Sequence, residues 1–385
     1  MPVPLSRGAL PHVDLLRTRL DAPPGELAMT ASITTAITPR ADLAPIARYA
    51  AATRGGHVIA DLSDSTNAWG PSPAAARAAA KGTAKGTAGL ASYPTLYGDD
   101  LKTALARYHG VAPSQIVTGC GSDDVIRSAF AAFAAPGAVI TWMEPTFVMI
   151  PVFARILALD IRPVPFDTSF AVRPDELLAR RAAVTYLCSP NNPTGSRAAR
   201  AAVARVLAEA PGLVVMDEAY ADFAGETWIG DAAASGRLLV ARTFSKSFGL
   251  AGLRAGYGVA HADIVEAIEK VRGPYSLNAV AERAAVAAIT SDVAWMRATV
   301  SEAIANRDRL AAALRGLGYA PLDSAANFLT TPVRDAAAVA EECAQRGVIV
   351  RGFRGLAVIG DAVRVAMAPW SVLERVVDAF AGVPR

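Results

Sequence analysis

Short apolar runs alternate with longer helical patterns from about residue 116 onward. The runs with the length and composition of buried strands are 116–118, 138–143, 183–188, 213–216 and 238–240. Between them, apolar residues recur at three- and four-residue spacing, as in Val203, Val206 and Leu207. This alternation predicts an α/β fold in which helices flank a mostly parallel sheet.

The last part of the chain follows a different pattern. A long helical pattern over about 292–315 ends at Gly316 and Gly318, and it predicts the connection to a second unit. Beyond it, the pattern predicts strands at 327–333, 348–351 and 363–367 and helices at 335–346 and 371–380. Such a mixture is typical of a smaller α+β domain.

These patterns divide the chain into regions. We predict an N-terminal arm over 1–40, a segment joining the small domain over 41–70, a large domain over 71–290 and a small C-terminal domain over 291–385. Residues 1–40 mix Pro, Thr, Ser and Arg without a clean period, so an extended arm is expected there. This arm also lacks a continuous apolar stretch, so no signal peptide is expected.

Composition and charge exclude several classes of protein. Of 385 residues, 52% are hydrophobic and 19% are charged, which excludes disorder and coiled coil as the main class. The net charge of +3 comes without a basic block, so no nucleic-acid partner is expected. Charged residues, proline and glycine interrupt every apolar run before it reaches the roughly 18–20 residues of a membrane span. We therefore expect no membrane association.

The cysteines and histidines support neither a disulfide framework nor a metal site. Cys120, Cys188 and Cys343 are scattered, and this usage fits a reducing cytoplasm. The histidines, at positions 12, 57, 109 and 261, form no close pair of the HExxH kind. We expect a cytoplasmic protein that needs no metal.

Polar and glycine-rich segments follow the predicted strands closely. They are Gly-Cys-Gly-Ser-Asp at 119–123, Ser-Pro-Asn-Asn-Pro-Thr-Gly at 189–195, Asp-Glu-Ala-Tyr at 217–220 and Thr-Phe-Ser-Lys-Ser-Phe-Gly-Leu-Ala-Gly-Leu-Arg at 243–254. Ligands bind at the carboxyl edge of an open parallel sheet. These segments, distant in sequence, are therefore expected to converge on one crevice.

Together the segments resemble the pyridoxal-phosphate-dependent aminotransferases of fold type I, and most closely the histidinol-phosphate aminotransferase group. The resemblance extends from about residue 60 to 385 and includes Asn-Ala-Trp-Gly-Pro-Ser-Pro at 67–73 and Ser-Tyr-Pro at 92–94. It implies a large domain that binds pyridoxal 5'-phosphate and a smaller α+β domain. The implied reaction moves an amino group from an amino acid or amino-phosphate donor to a 2-oxo acid.

The resemblance implies catalytic and ring-binding roles for specific residues. Lys246 would attach the cofactor covalently and later move a proton at the substrate α-carbon. Asp217 would keep the pyridine nitrogen protonated. Tyr220 and Asn192 would bond the phenolic oxygen of the cofactor, and Phe147 would stack on its ring.

A second group of residues is expected around the cofactor phosphate. The start of a helix supplies backbone amides for such an anion, and the resemblance adds hydroxyl groups and one guanidinium. The residues concerned are Gly121, Ser122, Asp123, Thr243, Ser245 and Arg254. Tyr93 would reach the phosphate of a neighbouring subunit, which implies a homodimer.

Substrate contacts are expected from Asn67, Arg351 and Arg364. Arg364 lies in an apolar strand, where an anionic partner would offset the cost of burying a guanidinium. Relatives usually carry Asn-Glu-Asn-Pro where this chain has Ser-Thr-Asn-Ala at 65–68, and proline where it has Gly352. Because both departures fall on the substrate side, the sequence leaves the donor and the acceptor open.

Two other readings of the same motifs stay open. A decarboxylase or lyase similar to the threonine-phosphate decarboxylase group shares these motifs. The motifs discriminate poorly between the reactions, because the reaction depends on which α-carbon bond stands perpendicular to the ring. A regulator that binds pyridoxal phosphate without catalysis would carry an appended helix-turn-helix unit and a basic face. Residues 1–60 are short and weakly patterned for such a unit.

Overall fold

A central sheet flanked by helices forms the main part of the fold. The computed structural model describes residues 57–83 and 85–383, together with residues 40, 43 and 46. The prediction of an arm over 1–40 therefore lies almost entirely outside the described residues. Among those residues no helix combines the length and the apolar character needed to cross a lipid bilayer.

The strands and helices are numbered in chain order. The strands are β1 (Ala60–Asp61), β2 (Ile116–Cys120), β3 (Val139–Glu144), β4 (Asp160–Ile161), β5 (Val164–Pro165), β6 (Val184–Cys188), β7 (Leu213–Asp217), β8 (Leu238–Thr243), β9 (Ala255–Ala260), β10 (Phe328–Pro332), β11 (Val348–Ile349), β12 (Arg351–Leu356) and β13 (Gly360–Ala366). The helices are α1 (Pro73–Ala80), α2 (Asp99–His109), α3 (Ser122–Phe133), α4 (Met149–Ile156), α5 (Pro174–Ala179), α6 (Arg200–Glu209), α7 (Ala221–Ala224), α8 (Ile229–Ala234), α9 (Ala262–Val271), α10 (Ala279–Ser291), α11 (Val293–Gly316), α12 (Ala336–Gln345) and α13 (Trp370–Gly382). Short 3₁₀ turns occur at Thr87–Ala91, Pro113–Gln115 and Ala251–Leu253.

The central sheet has the strand order β2-β9-β8-β7-β6-β3-β4, and β5 also pairs with β3. Strands β8, β7, β6 and β3 are parallel to one another, whereas β9 is antiparallel to both β2 and β8. The predicted α/β class with a mostly parallel central sheet is confirmed. Because the neighbouring strands end at one edge, the segments that follow them lie side by side.

Both faces of the central sheet are buried. Val214 and Met216 pack into one hydrophobic cluster, and Leu213 and Val215, on the opposite face of β7, pack into the other. A strand covered on both faces shows a continuous apolar run instead of an alternating one, which is why the run pattern located these strands correctly.

The run pattern did not predict β9 or the two short strands β4 and β5, and β9 is the longest of the three. Its sequence, Ala-Gly-Tyr-Gly-Val-Ala, contains two glycines that interrupt the apolar signal. Gly256 is required by a close approach, because a Cβ atom there would lie 2.3 Å from the backbone nitrogen of Ser122. The missing side chain allows β9 to pack beneath the start of α3.

The C-terminal part forms a smaller antiparallel sheet with the order β10-β13-β12. The single strand predicted at 348–351 is in fact two: β11 pairs in parallel with β1, and β12 pairs with β13. The two elements part at Val350, which is assigned to neither strand. The boundaries of the domains remain predictions.

Candidate active site

A cavity of about 580 Å³ opens at the carboxyl edge of the parallel strands. It is lined by most of the residues that the sequence singled out: Ser122, Asp123, Phe147, Asn192, Asp217, Tyr220, Thr243, Ser245, Lys246, Arg254, Arg351 and Arg364. The expected convergence of distant segments is therefore present in the fold.

Asp217 is a buried carboxylate at the end of β7. The hydroxyl of Tyr186 donates to Asp217 Oδ2 over 2.8 Å, and the backbone N–H of Ala219 donates to Oδ1 over 3.0 Å. Burial raises the pKa of Asp217 to about 6, and these two hydrogen bonds oppose the rise. A cationic group in the cavity would offset the cost of keeping this carboxylate ionised.

Lys246 is the lysine that lines the cavity. Its Nζ donates to the backbone oxygen of Asp64 over 2.9 Å and lies 5.6 Å from the ring centre of Tyr220. Burial, with a further contribution from Arg364, lowers the pKa of Lys246 to about 8. This lowering makes the neutral form, which is the nucleophile, more accessible near neutral pH than in an ordinary lysine.

The start of α3 and the loop after β8 together form a small polar cup. Ser122 begins the helix, so the backbone N–H groups of its first turn face the cavity without partners inside the helix. Thr243 Oγ1 donates to Ser245 Oγ over 2.9 Å, and Arg254 Nη1 approaches the same oxygen at 3.4 Å. Amides, hydroxyls and a guanidinium around one point are suited to a phosphate group.

Arg254 is held in an unusual backbone conformation beside this cup. Its φ of 54° lies in the left-handed region, which costs a non-glycine residue about 1–3 kcal/mol and is typical of functional sites. Arg254 Nη2 pairs with Asp123 Oδ2 at 3.2 Å. Gly121 leaves room for this guanidinium, since a Cβ atom there would lie 2.5 Å from Arg254 Nη2.

Tyr220, Asn192 and Phe147 complete the walls of the cavity. Tyr220 is buried, and burial raises its pKa, so its hydroxyl keeps the proton and can donate it in a hydrogen bond. Asn192 Oδ1 accepts a bond from Arg364 Nη1, so Nδ2 is the amide group left to donate into the cavity. Phe147 is half-buried and lies just before α4.

Arg351 and Arg364 are direct cross-strand partners in the β12–β13 pair, and both line the cavity. Arg364 is almost fully buried, and its Nη2 donates to the backbone oxygen of Ser63 over 2.6 Å. Like charges placed directly opposite one another are unfavourable in a sheet. An anion between the two side chains would remove this repulsion.

Three predicted residues do not line the cavity: Gly121, which lies against the Arg254 guanidinium, Asn67 and Tyr93. Asn67 is occupied by local bonds, because its Nδ2 donates to the backbone oxygen of Ser247 and its Oδ1 accepts from Trp69 N. Tyr93 is 82% exposed and stacks on Tyr275 at a ring distance of 4.7 Å. Asn67 therefore bonds the residue after Lys246 without lining the cavity, whereas Tyr93 lines a different cavity of this chain.

Sequence reasoning also missed contributors. In the sequence, Tyr186 looks like a core aromatic residue in an apolar run. Only the pairing of β6 with β7, in which Cys188 is opposite Asp217, indicates that Tyr186 lies near the carboxylate. Asp64 contributes a backbone oxygen, for which side-chain patterns carry no signal.

The comparison with protein families identifies the chain. The profile of the family "Aminotransferase class I and II" matches residues 58–380, and the chain belongs to this family. It is therefore an aminotransferase that depends on pyridoxal 5'-phosphate, as the sequence predicted.

Relatives in sequence and structure agree with this assignment. The chain is 36% identical over 328 residues to histidinol-phosphate aminotransferase 2 of Thiobacillus denitrificans, covering 84% of this chain and 90% of that protein. It is 38% identical over 319 residues to histidinol-phosphate aminotransferase of Roseiflexus castenholzii, covering 80% and 85%. The crystal structure of histidinol-phosphate aminotransferase from Sinorhizobium meliloti in complex with pyridoxal-5'-phosphate superposes with a TM-score of 0.76 at 25% identity, covering 84% and 90%.

A more distant likeness concerns the fold alone. Aspartate aminotransferase from Thermus thermophilus with maleate superposes with a TM-score of 0.70 at 20% identity and covers 84% of this chain and 91% of that one. The fold type I architecture is confirmed.

The residues present fit pyridoxal phosphate at both ends. A buried carboxylate at Asp217 suits a protonated ring nitrogen, and the amine of Lys246 suits an aldehyde. The cup of Ser122, Ser245 and Arg254 suits the phosphate. Gly121 supports this fit by a steric observation, because the absence of a side chain there leaves space for the Arg254 guanidinium.

Proposed function

We propose that this aminotransferase takes substrates with a terminal anion. An amino-phosphate of the histidinol phosphate type would be the amino donor in one half-reaction, and glutamate and 2-oxoglutarate would be the substrate pair of the other. The observation that carries this proposal is the cross-strand pair of Arg351 and Arg364 on the cavity wall. Two guanidinium groups can hold either a phosphate or a carboxylate through aligned N–H donors. The relatives named histidinol-phosphate aminotransferases support the phosphate-bearing choice.

The site residues have the following proposed roles. Arg364 orients the terminal anion, because its bonds to Asn192 Oδ1 and the oxygen of Ser63 fix the plane of its guanidinium. Arg351 adds the second contact. Asn67 is proposed to affect the substrate only indirectly. Its side chain donates to the backbone oxygen of Ser247, so it acts on the backbone there.

Lys246 and Asp217 have complementary proposed roles in proton transfer. The bound cofactor supplies a conjugated ring that accepts the electron pair left when the α-carbon loses its proton. Lys246 Nζ takes that proton and returns it, and a pKa of about 8 keeps both steps accessible near neutral pH. Asp217 would pair in its ionised form with the protonated ring nitrogen, and Tyr220 and Asn192 would donate to the phenolic oxygen.

A half-reaction experiment tests the substrate class. The purified holoenzyme is mixed separately with histidinol phosphate, histidinol and glutamate, and the change of the cofactor absorbance to its amine form is followed. We expect conversion with histidinol phosphate and glutamate and at least tenfold slower conversion with histidinol, which lacks the anion. Equal rates with histidinol and its phosphate would contradict the proposal, and release of carbon dioxide would favour the decarboxylase reading.

We also propose that the enzyme works as a homodimer in which Tyr93 contacts the cofactor phosphate of the second subunit. Its support is the exposed Tyr93–Tyr275 stack, which lies beside a second cavity of about 700 Å³. A mixture of Tyr93→Phe and Lys246→Ala chains should then bind the cofactor more tightly than either variant alone. Tyr275→Phe serves as the control, and sedimentation showing a fully active monomer would refute the dimer.

We propose a cytoplasmic location because the cysteines are free. Cys120, Cys188 and Cys343 are all free thiols, and Cys120 is exposed. Free thiols persist in reducing compartments.

A further inference from the structure

A buried ion network connects the loops that follow β7 and β8. Arg242 Nε donates to Glu218 Oε2 over 3.0 Å, and Arg242 Nη1 donates to Asp222 Oδ1 over 2.7 Å. The other oxygen of Asp222 accepts from Ser247 Oγ at 2.5 Å. Arg242, Glu218, Asp222 and Ser247 all lie outside the set of residues that line the cavity, so the network does not touch a ligand bound there.

The network is attached directly to the two residues with opposite roles in the site. Glu218 follows Asp217 in the chain, and Ser247 follows Lys246. One guanidinium therefore holds the loop carrying the carboxylate, and through Asp222 it holds the loop carrying the amine. A shift of either loop would stretch a hydrogen bond to a buried charge.

The remaining bonds of Glu218 make its position well defined. Its Oε1 accepts from Trp228 N at 2.5 Å, and its Oε2 accepts from Thr227 Oγ1 at 2.7 Å as well as from Arg242. The side chains of Arg242 and Glu218 are 11% and 1% exposed. Apolar residues of similar volume often stabilise a fold at least as well as a buried ion pair does. What the ion network provides and apolar residues would not is a set of directional hydrogen bonds that fix the positions of its members.

We propose that Arg242 is a positioning residue that sets the separation between Lys246 and Asp217 by bonding Glu218 and Asp222 at once. This inference rests on the proposed roles of Lys246 and Asp217, and it is independent of which amine or oxo acid is the substrate. Arg242 acts through its neighbours, because it is absent from the lining of the candidate active-site cavity.

The test compares Arg242→Lys with Ser247→Ala and with a matched control, Arg307→Lys. Lysine keeps the charge at position 242 but cannot direct two separated donors to two carboxylates. Ser247→Ala removes one hydrogen bond and leaves the ion pairs in place. Arg307 has a side chain that is also 11% exposed, and it donates to Ala326 O and Asp308 away from the cavity.

Measurements are made on both the apoenzyme and the holoenzyme. For each variant we would measure the dissociation constant of pyridoxal phosphate, the pH midpoint of its visible absorbance when bound, kcat, KM and the thermal midpoint of the apoenzyme. A misplacement of about 1 Å can lower the rate roughly 100-fold, so Arg242→Lys should reduce kcat by 10- to 100-fold with little change in KM. It should also weaken cofactor binding and move the absorbance midpoint.

Ser247→Ala should change kcat, cofactor affinity and the absorbance midpoint in the same direction by a smaller amount, and the loss of one hydrogen bond to a carboxylate should also lower the thermal midpoint of the apoenzyme. Arg307→Lys should change only the thermal midpoint. The proposal is overturned if both site variants retain wild-type affinity, absorbance midpoint and kcat, or if the control shifts these quantities equally. If Arg242→Lys does not fold, Ser247→Ala decides alone.

Borohydride labelling of the wild-type holoenzyme separates this inference from the proposed function. A pyridoxyl label absent from Lys246 would refute the role on which the inference depends. A label on Lys246 together with unchanged variants would refute the positioning role of Arg242 and leave the proposed function intact.

Discussion

Tyr186 donates its hydroxyl proton to Asp217 Oδ2 over 2.8 Å, and both side chains are buried. The two residues lie on adjacent parallel strands, where Cys188 is the register partner of Asp217. The bond directs one carboxylate oxygen and leaves the group ionisable despite its burial. Asp217 lines the cavity and Tyr186 does not.

Tyr186→Phe should impair the function of Asp217 without emptying the site. A hydrogen bond to a charged group contributes about 1.5–3 kcal/mol, so we expect kcat to fall roughly 10- to 100-fold. Because this bond lowers the pKa of Asp217, its loss should raise that pKa further above about 6. The acid limb of cofactor affinity should therefore move to higher pH.

Asp217→Asn is the comparison for this variant, since it removes the charge and keeps the shape. We expect a larger loss of kcat, because removal of an electrostatic contact to the reacting group costs several kcal/mol. A Tyr186→Phe enzyme with wild-type kcat and an unshifted acid limb would show that the bond is structural only.

Lys246 should be the residue that attaches the cofactor. After borohydride reduction, peptide mapping of the holoenzyme should find the pyridoxyl group there, and Lys246→Ala should carry none. The other lysines, Lys81, Lys85, Lys102 and Lys270, serve as internal controls. A label on any of them in place of Lys246 would refute the assignment.

The rate of cofactor capture by the apoenzyme should rise with pH through about 8. The neutral amine is the nucleophile, and burial together with Arg364 lowers the pKa of Lys246 to that value. Stopped-flow mixing at a series of pH values measures the midpoint. Arg364→Gln should move the midpoint upward, because it removes a positive charge that disfavours the protonated amine; a midpoint near the ordinary 10.4 in the wild type would contradict the burial of this amine.

Arg364→Ala should raise KM for anionic substrates strongly, by about 100-fold if two charge-assisted bonds are lost. Arg364→Lys should restore only part of the affinity, since one ammonium replaces two aligned donors. Arg354 lies on β12 but does not line the cavity, so Arg354→Ala is the matched control. Unchanged kinetics with glutamate in a folded Arg364→Ala enzyme would refute the anion-binding role.

The sequence predicted the central sheet well where strands are covered on both faces. Each of these strands contains an apolar run that gives way to polar residues at its carboxyl end, as β7 does at Asp217 and β8 does at Arg242 and Thr243, so the strand ends and the candidate site were found together. Strand β9 escaped because Gly256 and Gly258 are needed for close packing, and glycine weakens the strand signal.

Contacts between distant segments account for what the sequence could not show. The role of Tyr186 depends on strand register, and that of Arg242 depends on one carboxylate just after β7 and one on α7, so neither has a local signature. Asn67 was expected to face the substrate, but its side chain is used by the backbone at Ser247. The placement of Tyr93 depends on a second subunit and stays a prediction.

The antiparallel course of β9 has a practical consequence for engineering. Thr243 and Gly256 are register partners, so the sheet closes the base of the loop that carries both Lys246 and Arg254. One continuous loop thus contains the proposed attachment residue and the guanidinium proposed for the phosphate, while Arg351 and Arg364 come from another sheet. An exchange of this loop with that of another aminotransferase would transfer Lys246 and Arg254 together, while Asp217, Ser122 and the two arginines of the smaller sheet would stay those of the recipient.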